Sequence, residues 1–232
     1  MPVRWTDYLT SGDFGDRALF AKRVRGRVSP RTATRTPFSP AFDVTVNPEF
    51  PGDGDWGCPI FGFDRDGRVQ EQFESRWGAP TVVEVVPAGG ERWVGQFAAG
   101  GLGGTSGVFA TPGSGQLCVV ADGLAYVLEV HAAHRGAGVV HDQVGQVETV
   151  DGPDLLLLVR STDIVAIGSA GVEWRSSRLA LDDLRVLSTS GATITCSLDN
   201  LGGTSTITIA SATGEQVDGT RFDSLWPPDA LA

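Results

Sequence analysis

The sequence predicts an all-β protein built from antiparallel meander repeats, with a short N-terminal arm that is helical or extended. Three observations carry this expectation. Apolar runs of strand length, rich in branched residues, recur along most of the chain. Gly, Pro, Asp and Asn fall between those runs rather than inside them; the 31 glycines and 13 prolines follow no Gly-X-Y period, which excludes collagen. Asp122-Gly123 separates two apolar arms, Gln116–Val120 and Leu124–Val130, and Asp-Gly is a strong signal for a tight hairpin.

Taken in order, residues 1–41 form a basic arm and proline-rich linker, and residues 42–232 the all-β domain. Tyr8-Leu9 and Ala18–Ala21 suit a short helix capped by Asp13 or Asp16 and ended by Gly26. Residues 29–41 hold three prolines and no apolar period, which reads as an extended linker. Phe42, Val44 and Val46 alternate with Asp43 and Thr45 and open the β region. Strands follow at Ile60–Phe63, Val82–Val86, Trp93–Phe97 and Val108–Ala110, and then the Asp-Gly hairpin. His131–Gln146 reads as a loop or a weakly structured segment. From Asp154 to Asp218 the pattern is that of a meander, with runs at Leu155–Val159, Ile164–Ile167, Val172–Arg175, Leu184–Leu187, Ala192–Cys196 and Thr206–Ile209. Phe222, Leu225 and Trp226 are expected to pack back on the sheet, and Pro227-Pro228 to stop further pairing.

Charge narrows the function. The chain carries a net −10, unevenly spread. Residues 1–35 hold eight basic and three acidic side chains, a net of +5, so the remainder carries −15. The clustered Lys and Arg needed to neutralise phosphates are missing from the body, which argues against nucleic acid as a partner. The run Lys22–Arg27 reads as a solvated helix end or as a contact for an acidic surface, including that of a second copy in a homo-oligomer. Three widely spaced cysteines, Cys58, Cys118 and Cys196, make no disulfide framework and no Cys-x-x-Cys motif. Reduced thiols, no apolar leader and no apolar run beyond five residues point to the cytoplasm and away from a membrane. Arginine dominates over the single lysine, Lys22, as in chains from GC-rich bacterial genomes.

The hairpin at 116–130 and the run at 155–174 share a plan: an apolar strand, a tight turn, a second strand. In the later copy this reads Asp154 and Leu155–Val159, then Asp163 and Ile164–Ile167, a turn at Gly168–Gly171, and Val172-Glu173-Trp174. A further unit runs from Thr206 through Thr213-Gly214-Glu215 to Val217. In these residues, over about 108–219, the sequence resembles the blades of quinoprotein-like β-propellers, and it is similar to uncharacterised actinobacterial proteins. The resemblance implies a propeller-like array, with room for about four units of roughly 40–45 residues between Phe42 and Asp218. A sandwich of similar hairpins fits the same pattern. No activity and no site residue follow from the resemblance.

Three groups of residues are candidate sites. The segment Gly100–Gly107, with Gly103, Gly104, Thr105 and Ser106 at its heart, reads as a tight structural loop or as a ligand or oxyanion loop. It lacks the lysine of a phosphate-binding loop, the third glycine of a dinucleotide fingerprint and the helix after it. His131, His134 and His141 are the only histidines, and three histidines can hold a metal ion with one position open. The alternative is a set of surface histidines. Asp53, Asp55, Asp64 and Asp66 include the start of a calcium-loop pattern, but its twelfth position is Ser75, which leaves a simple turn as the better account. The six tryptophans suit either a binding groove or sheet packing. The function expected is that of a soluble binding or interaction protein, of immunity or accessory type, whose acidic scaffold meets a protein with a basic face. No cofactor is expected. The competing expectation is a hydrolase or lyase that joins the Gly100–Gly107 loop to the histidines at 131–141.

Overall fold

A continuous apolar strand must be covered on both faces, whereas an alternating strand needs cover on one. That distinction orders the architecture. The computed structural model describes residues 37–222 apart from 53, 102, 201 and 202. The helix expected near Tyr8–Ala21 and the packing of Leu225 and Trp226 lie outside the described residues.

Among the described residues seventeen strands form four sheets in sequence order. The first contains β1 (Phe42–Val46), β2 (Ile60–Phe63), β3 (Val69–Gln70), β4 (Thr81–Pro87) and β5 (Trp93–Phe97). The second contains β6 (Gly107–Ala110), β7 (Gln116–Ala121), β8 (Leu124–Glu129) and β9 (Gly138–His141). The third contains β10 (Gln146–Val150), β11 (Leu155–Val159), β12 (Ile164–Gly168) and β13 (Gly171–Arg175). The fourth contains β14 (Asp182–Thr189), β15 (Thr193–Asn200), β16 (Gly203–Ala210) and β17 (Gln216–Asp218). The last three sheets are simple antiparallel meanders.

Two expectations are corrected. The first sheet is no meander: its order is β1-β4-β5-β2-β3, and β2 runs parallel to β5. Phe73, in the segment after β3, crosses the face of β2 so closely that a Cβ on Gly62 would overlap it. The span His131–Gln146, expected as a loop or weakly structured, holds most of a 3-10 turn at Val130–Arg135, then β9 and the first residue of β10. Its strands are short and half-buried, so they lack the apolar run that marks the others.

The sheets pack face to face, each against its neighbour in sequence. Phe63, Val83, Val85 and Phe97 of the first meet Leu117, Val119, Tyr126 and Leu128 of the second. Cys118, Val120 and Ala125 of the second meet Leu156, Leu158, Val165 and Ile167 of the third. Leu155, Leu157, Ile164 and Ala166 of the third meet Val186, Ile194, Cys196, Ile207 and Ile209 of the fourth. Among the described residues no such cluster joins the fourth sheet back to the first. Patterning follows position. β7, β11 and β12 are buried at every residue, while β15 and β16 send Ile194, Cys196, Leu198, Ile207 and Ile209 inward and alternate them with Thr and Ser.

Tryptophan side chains tie neighbouring sheets. The indole N–H of Trp93 donates to the Val130 carbonyl (2.9 Å), and that of Trp174 donates to the Ser211 carbonyl (2.8 Å). Each buried ring thus satisfies its one polar group on the next unit of the array. The Gln146 amide makes a further link: its Oε1 accepts from the Val186 N–H and its Nε2 donates to the Val186 carbonyl, both at 3.0 Å. A side chain of β10 therefore pairs with the peptide edge of β14 as a strand would.

Burial pushes the thiols of Cys118 and Cys196 up to about 12, while Cys58 is half-buried and raised by burial against the opposing charge of Arg92. In native protein at pH 8, Cys58 is expected to be the thiol that reacts with a disulfide reagent; all three should react in denaturant. Three equivalents without denaturant would contradict the packing. The sign of the pH effect follows. Unfolded thiols ionise from an ordinary value of 9.0, and the folded ones hold their protons to about 12. The unfolded state therefore binds fewer protons in that window, and stability falls as pH rises through it.

A candidate groove where the second and third sheets meet

The Asp122-Gly123 hairpin is a two-residue turn with positive φ at both positions, as the sequence signal requires. It anchors the glycine-rich loop. Gly101 N–H donates to Asp122 Oδ2 (3.0 Å), Asp122 N–H to Ser106 Oγ (2.9 Å), Gly123 N–H to the Thr105 carbonyl (2.9 Å) and Thr105 N–H to the Val144 carbonyl (2.9 Å). A Cβ on Gly104 would lie 2.6 Å from the Gly123 Cα, so glycine permits the close approach. Thr105 and Ser106 thus serve the packing of three adjoining turns, and the Ser106 oxygen accepts from backbone. Gly103 and Gly104 are exposed.

The histidines are spread apart. His131 and His134 are exposed on the 3-10 turn, with His131 against Gly90 of the β4–β5 turn. His141 ends β9, opposite Ala125, and is buried. Among the described residues no group of three or more His, Cys, Asp or Glu side chains is placed to hold a metal ion. The Asp64–Gly67 segment is a turn: Asp64 Oδ1 accepts from the N–H groups of Asp66 and Arg68, both at 2.9 Å. Asp55 Oδ1 accepts likewise from Gly57 N–H. Asp53 lies outside the described residues. Of the tryptophans, Trp56, Trp93 and Trp174 are buried and Trp77 is exposed.

His141 does face an open depression of about 730 Å³, lined also by Arg65, Asp66, Asp142, Arg160, Asp163 and Arg175. A smaller one of about 290 Å³ adjoins it through Arg160 and Asp163 and adds Thr162, Ser176 and Arg178. Strand ends explain the gathering: β9, β11, β12 and β13 all begin or finish here, and polar residues take over where the apolar runs stop. Arg160 Nη1 pairs with Asp142 Oδ1 at 2.9 Å, and its Nε lies 3.7 Å from Asp163 Oδ1. His141 Nε2 lies 3.8 Å from Asp163 Oδ2, beyond hydrogen-bond reach. Both His141 Nε2 and Arg160 Nε are buried without a hydrogen-bond partner. Burial holds the His141 imidazole below its ordinary value, against the opposing pull of Asp163 and Asp142. The glycine loop reaches this region indirectly. Arg65 lies over the Trp77 ring, 5.6 Å from its centroid, and Trp77 packs on Gly101. His141 and Asp66 stood out in the sequence, in separate groups; the arginines are scattered from 65 to 178 and carry no shared local signal.

No protein-family model matches the sequence, and no curated protein matches it. Among solved structures, the crystal structure of the N-terminal domain of Nup159 aligns with 82% of this chain and 53% of that chain, at 13% identity and a TM-score of 0.37. The chain therefore spans about half the length of that domain, and a likeness at this level carries no inference about what the chain does.

Proposed function

We propose that the chain is a cytoplasmic binding protein whose acidic β scaffold engages a protein partner with a basic face. One observation carries the reading: among the described residues, the β1–β4 part of the first sheet mixes carboxylates with exposed apolar side chains on the face turned away from the second sheet. On that face Asp43 stands opposite Val86, which is 42% exposed, and Glu84 stands opposite Thr45 and Val94. Phe50, also 42% exposed, and Asp55 lie in the β1–β2 connection, and Glu91 in the β4–β5 turn. Apolar contact surface beside negative charge is what a protein interface uses, the first for affinity and the second for steering. Glu84 is held by Arg92 at 2.8 Å, which leaves Asp43 and Glu91 as the freer charges of the face. In a capture experiment from the native host, the identified partner is expected to carry a basic surface. Calorimetry with that partner should show about tenfold weaker binding to Asp43→Arg/Glu91→Arg protein, a change of about 1.4 kcal/mol. No stable partner, or unchanged affinity of the variant, would overturn the proposal.

A further inference from the structure

Ten basic side chains lie outside the first 35 residues, all of them arginine. Four of the ten, Arg65, Arg160, Arg175 and Arg178, line the two adjoining depressions at the junction of the second and third sheets. With the carboxylates beside them the two depressions together hold one cation in excess, in a body with a net charge of −15. Three carboxylates share the place: Asp66, Asp142 and Asp163. Asp142 and Asp163 flank Arg160, and Asp66 pairs with Arg68, which lines neither depression. Among the described residues no carboxylate pairs with Arg65, Arg175 or Arg178. Arg175 spends one nitrogen on the Val140 carbonyl (2.7 Å), and Arg178 spends two on the carbonyls of Ala180 (3.0 Å) and Leu181 (3.3 Å). Arg65 rests on Trp77. Each of these contacts fixes a guanidinium in place and leaves donors over. A planar fork with spare donors matches the oxygens of a carboxylate or phosphate. Among the residues that line the groove, His141 Nε2 and Arg160 Nε are buried without a hydrogen-bond partner.

We propose that this groove is a binding site for a small oxyanion, a carboxylate or a phosphate group, gripped by Arg65 and Arg175 with Arg160 and His141 beside them. The site is separate from the acidic face of the first sheet and does not depend on it. The Asp163 carboxylate lies 3.8 Å from His141 Nε2 and 3.7 Å from Arg160 Nε, and its Oδ1 accepts from Thr162 Oγ1 at 2.6 Å.

The test is calorimetric titration of the full chain at low ionic strength, with inorganic phosphate in one arm and malate in the other. Saturable binding of at least one anion is expected, and the comparison shows which oxyanion the groove prefers. Arg175→Gln and Arg65→Gln alter exposed side chains that the fold can spare, and each should weaken binding about tenfold, as the loss of one charge-assisted hydrogen bond does. Arg185→Gln, on the fourth sheet, should leave binding unchanged. Failure of both anions to bind saturably, or equal weakening by Arg185→Gln, would overturn the assignment.

Discussion

Leu157→Ala is expected to lower the free energy of unfolding by about 2–5 kcal/mol, the range for truncating a large side chain in a close-packed core. Leu157 is fully buried on β11 and points into the interface between the third and fourth sheets. Its neighbours Leu156 and Leu158 point the other way, into the interface with the second sheet. A strand so placed has no solvent face, so the backbone cannot relax in either direction to fill the void, which favours the upper part of the range. Leu187, 61% exposed on β14, supplies the contrast: Leu187→Ala should stay within about 0.5 kcal/mol. Urea denaturation followed by circular dichroism measures both. A loss below about 1 kcal/mol for Leu157→Ala would mean that the third and fourth sheets are not packed as described.

Gly67→Ala is the second large effect. Gly67 adopts φ +77° in the turn between β2 and β3, and an alanine held there pays about 1–2 kcal/mol for the left-handed conformation alone. A Cβ would also overlap the carbonyl oxygen of Ala137, which is backbone and cannot rotate away. Moving it typically adds about 1–3 kcal/mol. The contact matters because Ala137 N–H donates to the Gly67 carbonyl at 2.8 Å, stitching the first sheet to the second beside β9. Thermal unfolding should show a clear loss for Gly67→Ala. Gly89→Ala is the matched control: its φ is +69° with open space around the added Cβ, so it isolates the conformational part. Equal losses for the two would show that the approach to Ala137 costs nothing.

Much of the fold was legible because strand formation here is written in local composition. The Asp122-Gly123 turn, the alternation at Phe42–Val46 and the run Leu155–Val159 each identify their own element without reference to the rest. What stayed hidden is what depends on distant partners. Nothing around Ile60 shows that β2 pairs in parallel with β5, because the packing of Phe73 on Gly62 that accompanies this arrangement is a contact between separate segments. β9 escaped for a different reason: Val139 and Val140 are half-buried beside His141, so the strand has no apolar run to show. The groove follows the same rule. His141 could be singled out as one of three histidines, but its neighbours are Arg65, Arg160 and Arg175, and only the stacking of sheets brings those together. Spacing suggested that the histidines act as a set, whereas the 3-10 turn sends His131 and His134 to the surface and leaves His141 buried.

The sequential packing of the four sheets among the described residues has an energetic consequence. A closed ring gives every unit two neighbours and makes its stability a property of the whole. Among the described residues the second and third sheets each have two neighbours, and the first and fourth have one cluster apiece. Such an array behaves as a chain of nearest-neighbour couplings, in which cooperativity is greatest at the centre and declines outward. The Val186 peptide that Gln146 engages then belongs to the first link to part at one end, and the Trp93 indole bond to the first at the other. The proposed oxyanion groove lies at the central link, where the array holds its side chains most firmly.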